Sequence, residues 1–219
     1  MSHINYNSPI HVHFIGIGGI SMSGLADILF SKGFTISGSD SKESELTRNL
    51  ISQGIKVFIG QKADNITDDI DLVVYTAAIH NDNEELAAAR AKNIPVITRA
   101  ELLGEIMTNY KTAVGVSGTH GKTTTTSMLT EILVNGSLDP TVSVGGILPS
   151  IHGNLRIGHS DNFVTEACEY TNSFLSFFPT IEIILNIEED HLDFFKDIND
   201  IRNSFGRYVL SLIHIPSPR

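Results

Sequence analysis

The residues of this sequence that are best suited to chemistry lie within the segment GVSGTHGKTTTTSM, at positions 115 to 128. Gly121 permits close approach of the backbone to a phosphate, Lys122 can reach β- and γ-phosphates, and Thr123 can bind Mg²⁺ through its hydroxyl. The strict pattern G-x-x-x-x-G-K-[ST] is not met, because Val116 stands where its first glycine belongs. We interpret the segment as an ATP-binding loop rather than a structural glycine turn. The residues expected to bind ATP are Gly118, Thr119, Gly121, Lys122, Thr123 and Thr124.

A second glycine-rich loop, GIGGISMSG, occupies residues 16 to 24. Its glycines allow a tight turn, and the free N–H groups of the helix that follows favour a diphosphate. The loop departs from the dinucleotide pattern G-x-G-x-x-G, because Ser21 replaces the third glycine. Asp40, at the end of the second expected strand, stands where a carboxylate would meet a ribose hydroxyl. The loop alone leaves two interpretations open, a nucleotide diphosphate site and a tight structural turn.

Further along the chain, a carboxylate and a histidine follow two other expected strands. Glu166 ends the strand NFVTE, and His191 follows a strand that ends near Asn186. Because the carboxyl ends of parallel strands lie at one edge of a sheet, both side chains should face Lys122. A carboxylate at that edge suits Mg²⁺, and a histidine beside it could bind a second Mg²⁺ or move a proton.

Short apolar runs rich in β-formers alternate with helical patterns throughout, which predicts parallel sheets covered by helices. The first strand, IHVHFIGI, carries His11 and His13, which we interpret as structural or incidental. The pattern restarts with a fresh strand after TNYK, at residues 108 to 111. We therefore predict a Rossmann-like parallel-sheet domain over residues 1–109 and the first part of a P-loop ATPase-type α/β domain over residues 110–210. Residues 211–219, SLIHIPSPR, continue neither pattern and are treated as a doubtful tail.

Charge and composition narrow the possible partners and the compartment. The net charge of −10 and the lack of a basic patch argue against nucleic acid and anionic membranes as partners. Residues 161 to 200 hold ten acidic residues and one lysine, a bias that we interpret as a solvated surface rather than a metal site. The sequence shows no export signal and no run of apolar residues long enough for a membrane span. The single cysteine, Cys168, excludes an internal disulfide and favours the cytoplasm.

Three separated segments resemble the Mur ligases of peptidoglycan synthesis, in the same order along the chain: VHFIGIGGISMSGLADIL with GSD, then GTHGKTTTTSM, then NIEEDHLD. The resemblance implies an enzyme with three domains, which bind a UDP-sugar, ATP and an amino acid in turn. This sequence would hold the first domain and about half of the second, without the amino-acid-binding domain. The member it most resembles uses ATP and Mg²⁺ to join L-alanine to UDP-N-acetylmuramate through an acyl phosphate.

The resemblance also implies roles for individual residues. Lys122, His191 and His120 would be catalytic, with His120 near the reacting end of the sugar, and Mg²⁺ would be held by Thr123, Glu166 and His191. The residues implied to bind the UDP-sugar are Gly16, Gly18, Gly19, Ile20, Ser21, Asp40, Thr76, Ala77, Ala78 and Ile79. In one segment the family usually reads E-A-D-E-S-D-x-S-F, where this sequence keeps both glutamates. The differing residues are Cys168, Tyr170 and Thr171.

Three alternative functions stay open at this point. A related ligase joins a recycled tripeptide to the same UDP-sugar, and the missing amino-acid-binding domain would distinguish it. A nicotinamide-dependent dehydrogenase could be built on residues 16 to 40, although the run from Lys122 to Thr126 would then have no purpose. The sequence could also be a nucleotide-binding fragment without catalytic activity.

Overall fold

The computed structural model describes residues 3 to 212, which form two α/β units. The first unit ends at Leu103 and the second begins at Gly104. Each unit has a five-stranded sheet that is mainly parallel, which confirms the predicted fold class. Of the doubtful tail, residues 211 and 212 continue the last helix, and residues 213 to 219 lie outside the described residues.

In the first unit, every pair of neighbouring strands is parallel, and the strand order is β3-β2-β1-β4-β5. The strands are β1 (His11–Ile15), β2 (Thr35–Asp40), β3 (Lys56–Ile59), β4 (Leu72–Tyr75) and β5 (Val96–Thr98). The helices are α1 (Ile20–Ser31), α2 (Glu45–Ser52) and α3 (Glu84–Ala91), and α4 (Arg99–Met107) contains the boundary between the units. Continuous apolar runs become central strands because both faces of such a sheet are covered, and Phe14 and Ile15 are accordingly fully buried.

The position of β1 in this sheet determines where a ligand can bind. β1 lies between β2 and β4. The chain therefore forms β2 and β3 on one side of β1, and then crosses over to form β4 and β5 on the other side. At such a reversal the connections after neighbouring strands diverge, leaving a crevice at their carboxyl ends. The two connections here are the glycine-rich loop after β1 and residues 76 to 79 after β4.

The second unit has the strand order β10-β6-β9-β7-β8. Its strands are β6 (Thr112–Ser117), β7 (Thr141–Leu148), β8 (Gly153–Arg156), β9 (Asn162–Glu166) and β10 (Ile181–Ile184), and its helices are α5 (Lys122–Asn135) and α6 (Ile198–Leu212). Four strands are parallel, while the edge strand β8 runs antiparallel to β7. The sequence patterns did not predict β8, because an antiparallel partner needs only a short connection, here a single helical turn at Pro149–Ile151.

Helix α2 is another element that the sequence patterns did not reveal. Its N-cap is Ser44, whose side chain accepts a hydrogen bond from the backbone N–H of Thr47, while the Thr47 hydroxyl accepts one from the Ser44 N–H. Such a capping box usually carries Glu or Gln at the third position, so the threonine conceals the signal. None of the helices between residues 3 and 212 has the length and hydropathy needed to cross a membrane.

A carboxyl group in the second unit makes the stability of the protein depend on pH. Glu182 on β10 accepts a 2.7 Å hydrogen bond from the hydroxyl of Tyr208, which is fully buried on α6. Burial raises the pKa of Glu182, because the ionised form loses its hydration. The resulting destabilisation is absent below the ordinary glutamate pKa and grows as the pH rises through the raised value.

We therefore expect Glu182→Gln to stabilise the protein at pH 7, by about 1 kcal/mol, because the amide carries no charge to desolvate. The gain should shrink near pH 4, at which the native carboxyl group is itself protonated. Denaturant unfolding, followed by circular dichroism at pH 7 and at pH 4, measures the gain in stability and its decrease. The exposed Glu189→Gln serves as the control, and an equal gain for Glu182→Gln at both pH values would contradict the explanation.

Candidate functional site

The loop between β6 and α5 is the candidate phosphate site of the second unit. β6 extends through Ser117, so Val116 is a fully buried strand residue, and its position requires no glycine. Gly121, just before α5, has a φ of +86°, in the left-handed region that glycine adopts without steric cost. Because α5 begins at Lys122, its N-terminal N–H groups and the positive end of its dipole face this loop. This arrangement suits an anion.

Lys122 is surrounded by acceptors. Its ammonium group donates to the carbonyl oxygens of Gly118 and Thr119, at 2.5 and 3.2 Å, and to both carboxylate oxygens of Glu169, at 2.9 and 3.1 Å. The side chain of Lys122 is 14% exposed and that of Glu169 only 2%, so water screens this ion pair weakly. Glu169, for which the sequence patterns predicted no role, is therefore a residue of the site.

Two side chains with oxygen atoms that can bind a metal ion lie together, one at the start of α5 and one at the end of β9. The hydroxyl of Thr123 donates to Glu166 Oε2 at 3.2 Å, and Glu166 Oε1 accepts a 2.7 Å hydrogen bond from the N–H of Gly145. Mg²⁺ is usually held by one or two protein carboxylates, with water and phosphate oxygens completing its shell, so this pair fits the ion. Across residues 3 to 212, no three His, Cys, Asp or Glu side chains converge as a metal site. Phosphate oxygens and water would have to complete the coordination.

The segment after β10 is hydrogen-bonded to the phosphate loop. The Asn186 side chain accepts a 2.9 Å hydrogen bond from the N–H of His120 and donates one of 3.0 Å to the His120 carbonyl. The hydroxyl of Thr119 accepts from the N–H of Glu188 at 2.9 Å, so this side chain holds the two segments together. The ring of His120 is 63% exposed, with Nε2 3.9 Å from Glu188, and Thr124 is also exposed. The structure thus brings the ends of β6, β9 and β10 together, as expected from the sequence.

His191 joins the site through Glu169 and Tyr170. Its Nε2 lies 3.8 Å from Glu169 Oε1, and its ring packs against Tyr170 with 4.6 Å between the centroids. The Tyr170 hydroxyl donates to Asp193 at 2.7 Å, and this hydrogen bond to a carboxylate raises the pKa of Tyr170. The backbone of His191 has a φ of +51° and its N–H donates to Asp190. Such a conformation is uncommon for a residue with a side chain and is maintained here by these contacts.

In the first unit, the loop after β1 and the segment after β4 meet. Gly16 has a φ of +84°, and a Cβ at this position would lie 2.9 Å from Cγ2 of Thr76 and 3.9 Å from Cδ1 of Ile79. Only glycine therefore permits this approach. Helix α1 begins at Ile20 with Gly19 as its N-cap, so its N-terminus faces the same crevice. The other residues expected here, Ser21, Ala77 and Ala78, are exposed.

Asp40 shapes the first loop directly. Its Oδ2 accepts a 2.9 Å hydrogen bond from the N–H of Gly18, and Oδ1 accepts a weaker one, of 3.3 Å, from the backbone N–H of Lys42. The backbone of the same strand end is also engaged, since the carbonyl of Ser39 accepts from the N–H groups of Gly16 and Ile17. The carboxylate expected to meet a ribose therefore also fixes the conformation of the glycine-rich loop.

The contacts of residues 169 and 170 were not predicted from the sequence. Glu169 lies three positions after the expected metal ligand Glu166, and a second carboxylate so close to that strand end was a usable signal. The partners of Tyr170 could not be read from the sequence, because they lie 21 and 23 residues further along, at His191 and Asp193.

Two α/β units with mainly parallel sheets, each with a glycine-rich loop between its first strand and first helix, define the chain as an α/β protein with two candidate phosphate-binding loops. Comparison with protein families narrows this class. Residues 11–111 match the description "Mur ligase family, catalytic domain", and residues 116–212 match "Mur ligase middle domain". The chain belongs to the Mur ligase family.

Individual relatives agree with this assignment. The chain is 69% identical over 209 residues to a UDP-N-acetylmuramate–L-alanine ligase of Agathobacter rectalis, covering 95% of this chain and 46% of the relative. Among solved structures, the UDP-N-acetylmuramate–alanine ligase of Thermotoga maritima superposes with a TM-score of 0.81 at 36% identity, over 93% of this chain and 47% of that one.

A second solved structure superposes equally well. It is the UDP-N-acetylmuramate:L-alanyl-gamma-D-glutamyl-meso-diaminopimelate ligase of Neisseria meningitides, with a TM-score of 0.83 at 31% identity, covering 94% of this chain and 69% of that one. The chain thus spans less than half the length of the alanine ligases it matches.

Proposed function

We propose that this chain supplies the UDP-sugar site and the ATP phosphate site of a cytoplasmic ligase that joins L-alanine to UDP-N-acetylmuramate. The observation that carries the proposal is the convergence of Lys122, Thr123 and Glu166 at the adjacent ends of β6 and β9. A cation and two hard oxygen donors at the N-terminus of a helix are what ATP with Mg²⁺ requires. Identity of 69% to a relative named as an alanine ligase, against 31% to the tripeptide ligase, supports L-alanine as the amino acid.

In this proposal each of the two units binds a different substrate. Residues 1–109 would form the UDP-sugar domain and residues 110–210 part of the ATP-binding domain. The diphosphate of the UDP-sugar would lie against Gly16, Gly18 and the N-terminus of α1. Asp40 would face the ribose, and residues 76 to 79 would line the crevice for the uridine, because they follow β4 at the reversal of the sheet.

The proposed chemistry brings two anions together. ATP would transfer its γ-phosphoryl group to the lactyl carboxylate of UDP-N-acetylmuramate, giving ADP and an acyl phosphate. The amine of L-alanine would attack the acyl carbon and lose a proton, and phosphate would leave. Lys122 would neutralise negative charge on the transferred group, which is the main demand of this reaction. Mg²⁺, held by Thr123 and Glu166 and at a second position by His191, would supply further positive charge. His120 would stand near the reacting end of the sugar.

Binding to the chain itself tests the first half of this proposal. We expect UDP-N-acetylmuramate to raise the melting temperature and NAD to leave it unchanged, because Ser21 stands where the dinucleotide pattern has its third glycine. Differential scanning fluorimetry with the two ligands at equal concentrations makes the comparison, with uridine alone as the control for the contribution of the base. A shift with NAD and none with UDP-N-acetylmuramate would refute the ligase and favour a dehydrogenase.

A further inference from the structure

We propose that Glu169 is a positioning residue of the ATP site, which binds Lys122 while the site is empty and must release it when the phosphates arrive. The inference rests on the ATP site proposed above and adds a residue to it. It predicts that the carboxylate of Glu169 opposes ATP binding, so that its removal tightens the binding.

The contacts of Lys122 are the first support. An ammonium group has three N–H donors. Those of Lys122 are directed at the carbonyls of Gly118 and Thr119 and at the two carboxylate oxygens of Glu169. All its donor directions are therefore satisfied within the protein. A γ-phosphate can be reached only if at least one of these partners is given up, and Glu169 is the only one of the three that carries a charge.

The second support is that Glu169 is held in place by its own segment. It is 2% exposed, and its carbonyl accepts a 2.9 Å hydrogen bond from the N–H of Asn172. Phe174, five residues on, is fully buried and stacks on Tyr208 with 4.4 Å between the ring centroids. Because this packing fixes the carboxylate, the side chain of Lys122, which is long and flexible, is the partner that moves.

The third support is the position of His191. With Lys122 moved to the phosphates, Glu169 would keep the ring of His191 as a neighbour, 3.8 Å from its Oε1. Glu169 therefore lies between two residues that the proposed reaction uses, and one carboxylate orients both. In the empty site it compensates the charge of Lys122, and a ligand must offer more negative charge than one carboxylate to displace it.

The test compares ATP affinities in a buffer with a chelator and no Mg²⁺, which removes the metal from the comparison. Isothermal titration of ATP into the 219-residue chain is expected to give a dissociation constant at least about fivefold lower for Glu169→Gln than for the unaltered chain, since no ion pair has to be broken. Glu169→Asp keeps the charge on a shorter side chain and should fall between the two. Glu189→Gln, an exposed carboxylate after β10, should leave the affinity unchanged.

A purely structural role gives a different result. In that case Glu169→Gln would lower the melting temperature of the empty protein without tightening ATP binding, and the inference would be wrong. If Glu169→Gln does not fold, the inference depends on Glu169→Asp, and an affinity equal to or weaker than that of the unaltered chain would overturn it. If no form binds ATP under these conditions, the same titrations are repeated with Mg²⁺, and failure of every form there as well would overturn the proposed function and this inference together. Binding by the unaltered chain with no gain in either variant would overturn the inference alone.

Discussion

Replacing Lys122 with alanine is expected to abolish ATP binding, weakening it by about 100-fold or more, and to destabilise the empty protein by about 3 kcal/mol. The two effects have one cause. The alanine variant has no cation for the phosphates, and it leaves the carboxylate of Glu169, which is 2% exposed, without its counter-ion. That carboxylate would then repel the incoming phosphates as well. Isothermal titration with ATP and Mg²⁺ and denaturant unfolding without ligand measure the two effects separately.

A matched control is available in the same unit. Lys196 is exposed and lies outside the phosphate loop, so Lys196→Ala removes the same charge and should change neither quantity appreciably. The double variant Lys122→Ala with Glu169→Gln should recover part of the lost stability, because it no longer buries an unpaired charge. A Lys122→Ala protein that binds ATP as the unaltered chain does would contradict the assignment of the loop.

Replacing Glu85 with alanine is expected to destabilise the first unit by about 3 kcal/mol. Glu85 on α3 is fully buried and accepts hydrogen bonds from the hydroxyl of Ser39, at 2.5 Å, and from the side-chain amide of Asn65, at 2.6 Å. Nε2 of the buried His13 lies 3.6 Å away. Truncation would leave these polar groups in the core without their acceptor, which costs more than the loss of an exposed hydrogen bond.

The same substitution should weaken the first nucleotide site. The hydrogen bonds of Glu85 include one from the hydroxyl of Ser39 on β2. The carbonyl of Ser39 in turn accepts hydrogen bonds from the N–H groups of Gly16 and Ile17 in the glycine-rich loop. We therefore expect the melting-temperature shift caused by UDP-N-acetylmuramate to fall or vanish in Glu85→Ala. The neighbouring Glu84 is exposed in the same first turn of α3, so Glu84→Ala is the control. If both variants unfold at the same denaturant concentration as the unaltered chain, the buried network does not have the role assigned to it.

Much of the fold follows from patterns that are local in the sequence. Strand and helix alternation predicted both sheets, because apolar runs such as that of β1 can be buried on both faces only in a parallel sheet covered by helices. The convergence of Lys122, Glu166 and Asn186 could also be predicted, since the carboxyl ends of parallel strands share one edge. The roles of these residues in binding ATP and Mg²⁺ stay predictions that the experiments above would test.

The remaining features depend on contacts between distant residues. β8 reverses direction through a single turn, and α2 is capped by a threonine at a position where Glu or Gln is the usual signal. The ion pair between Lys122 and Glu169 joins residues 47 positions apart, and only the return of the chain after β9 brings the carboxylate to the lysine. Neither propensity nor periodicity encodes such a return.

In the first unit, the partners of two histidines likewise could not be predicted from the sequence. The alternation of His11 and His13 on β1 predicts structural or incidental roles for them. Both rings bond the hydroxyl of Ser37, at 2.8 and 2.9 Å, while His11 also reaches Asp69. Alternation placed the two rings on one face of the sheet, but their partners come from β2 and from the loop before β4.

Titration of ATP into the unaltered chain in the presence of Mg²⁺ tests the central claim, that the loop before α5 is an ATP site completed by the ends of β9 and β10. We predict saturable binding of one ATP per chain, competed by ADP, not competed by NAD, and lost in Lys122→Ala. Binding that persists in Lys122→Ala, or no binding at all by a chain shown to be folded, would contradict it.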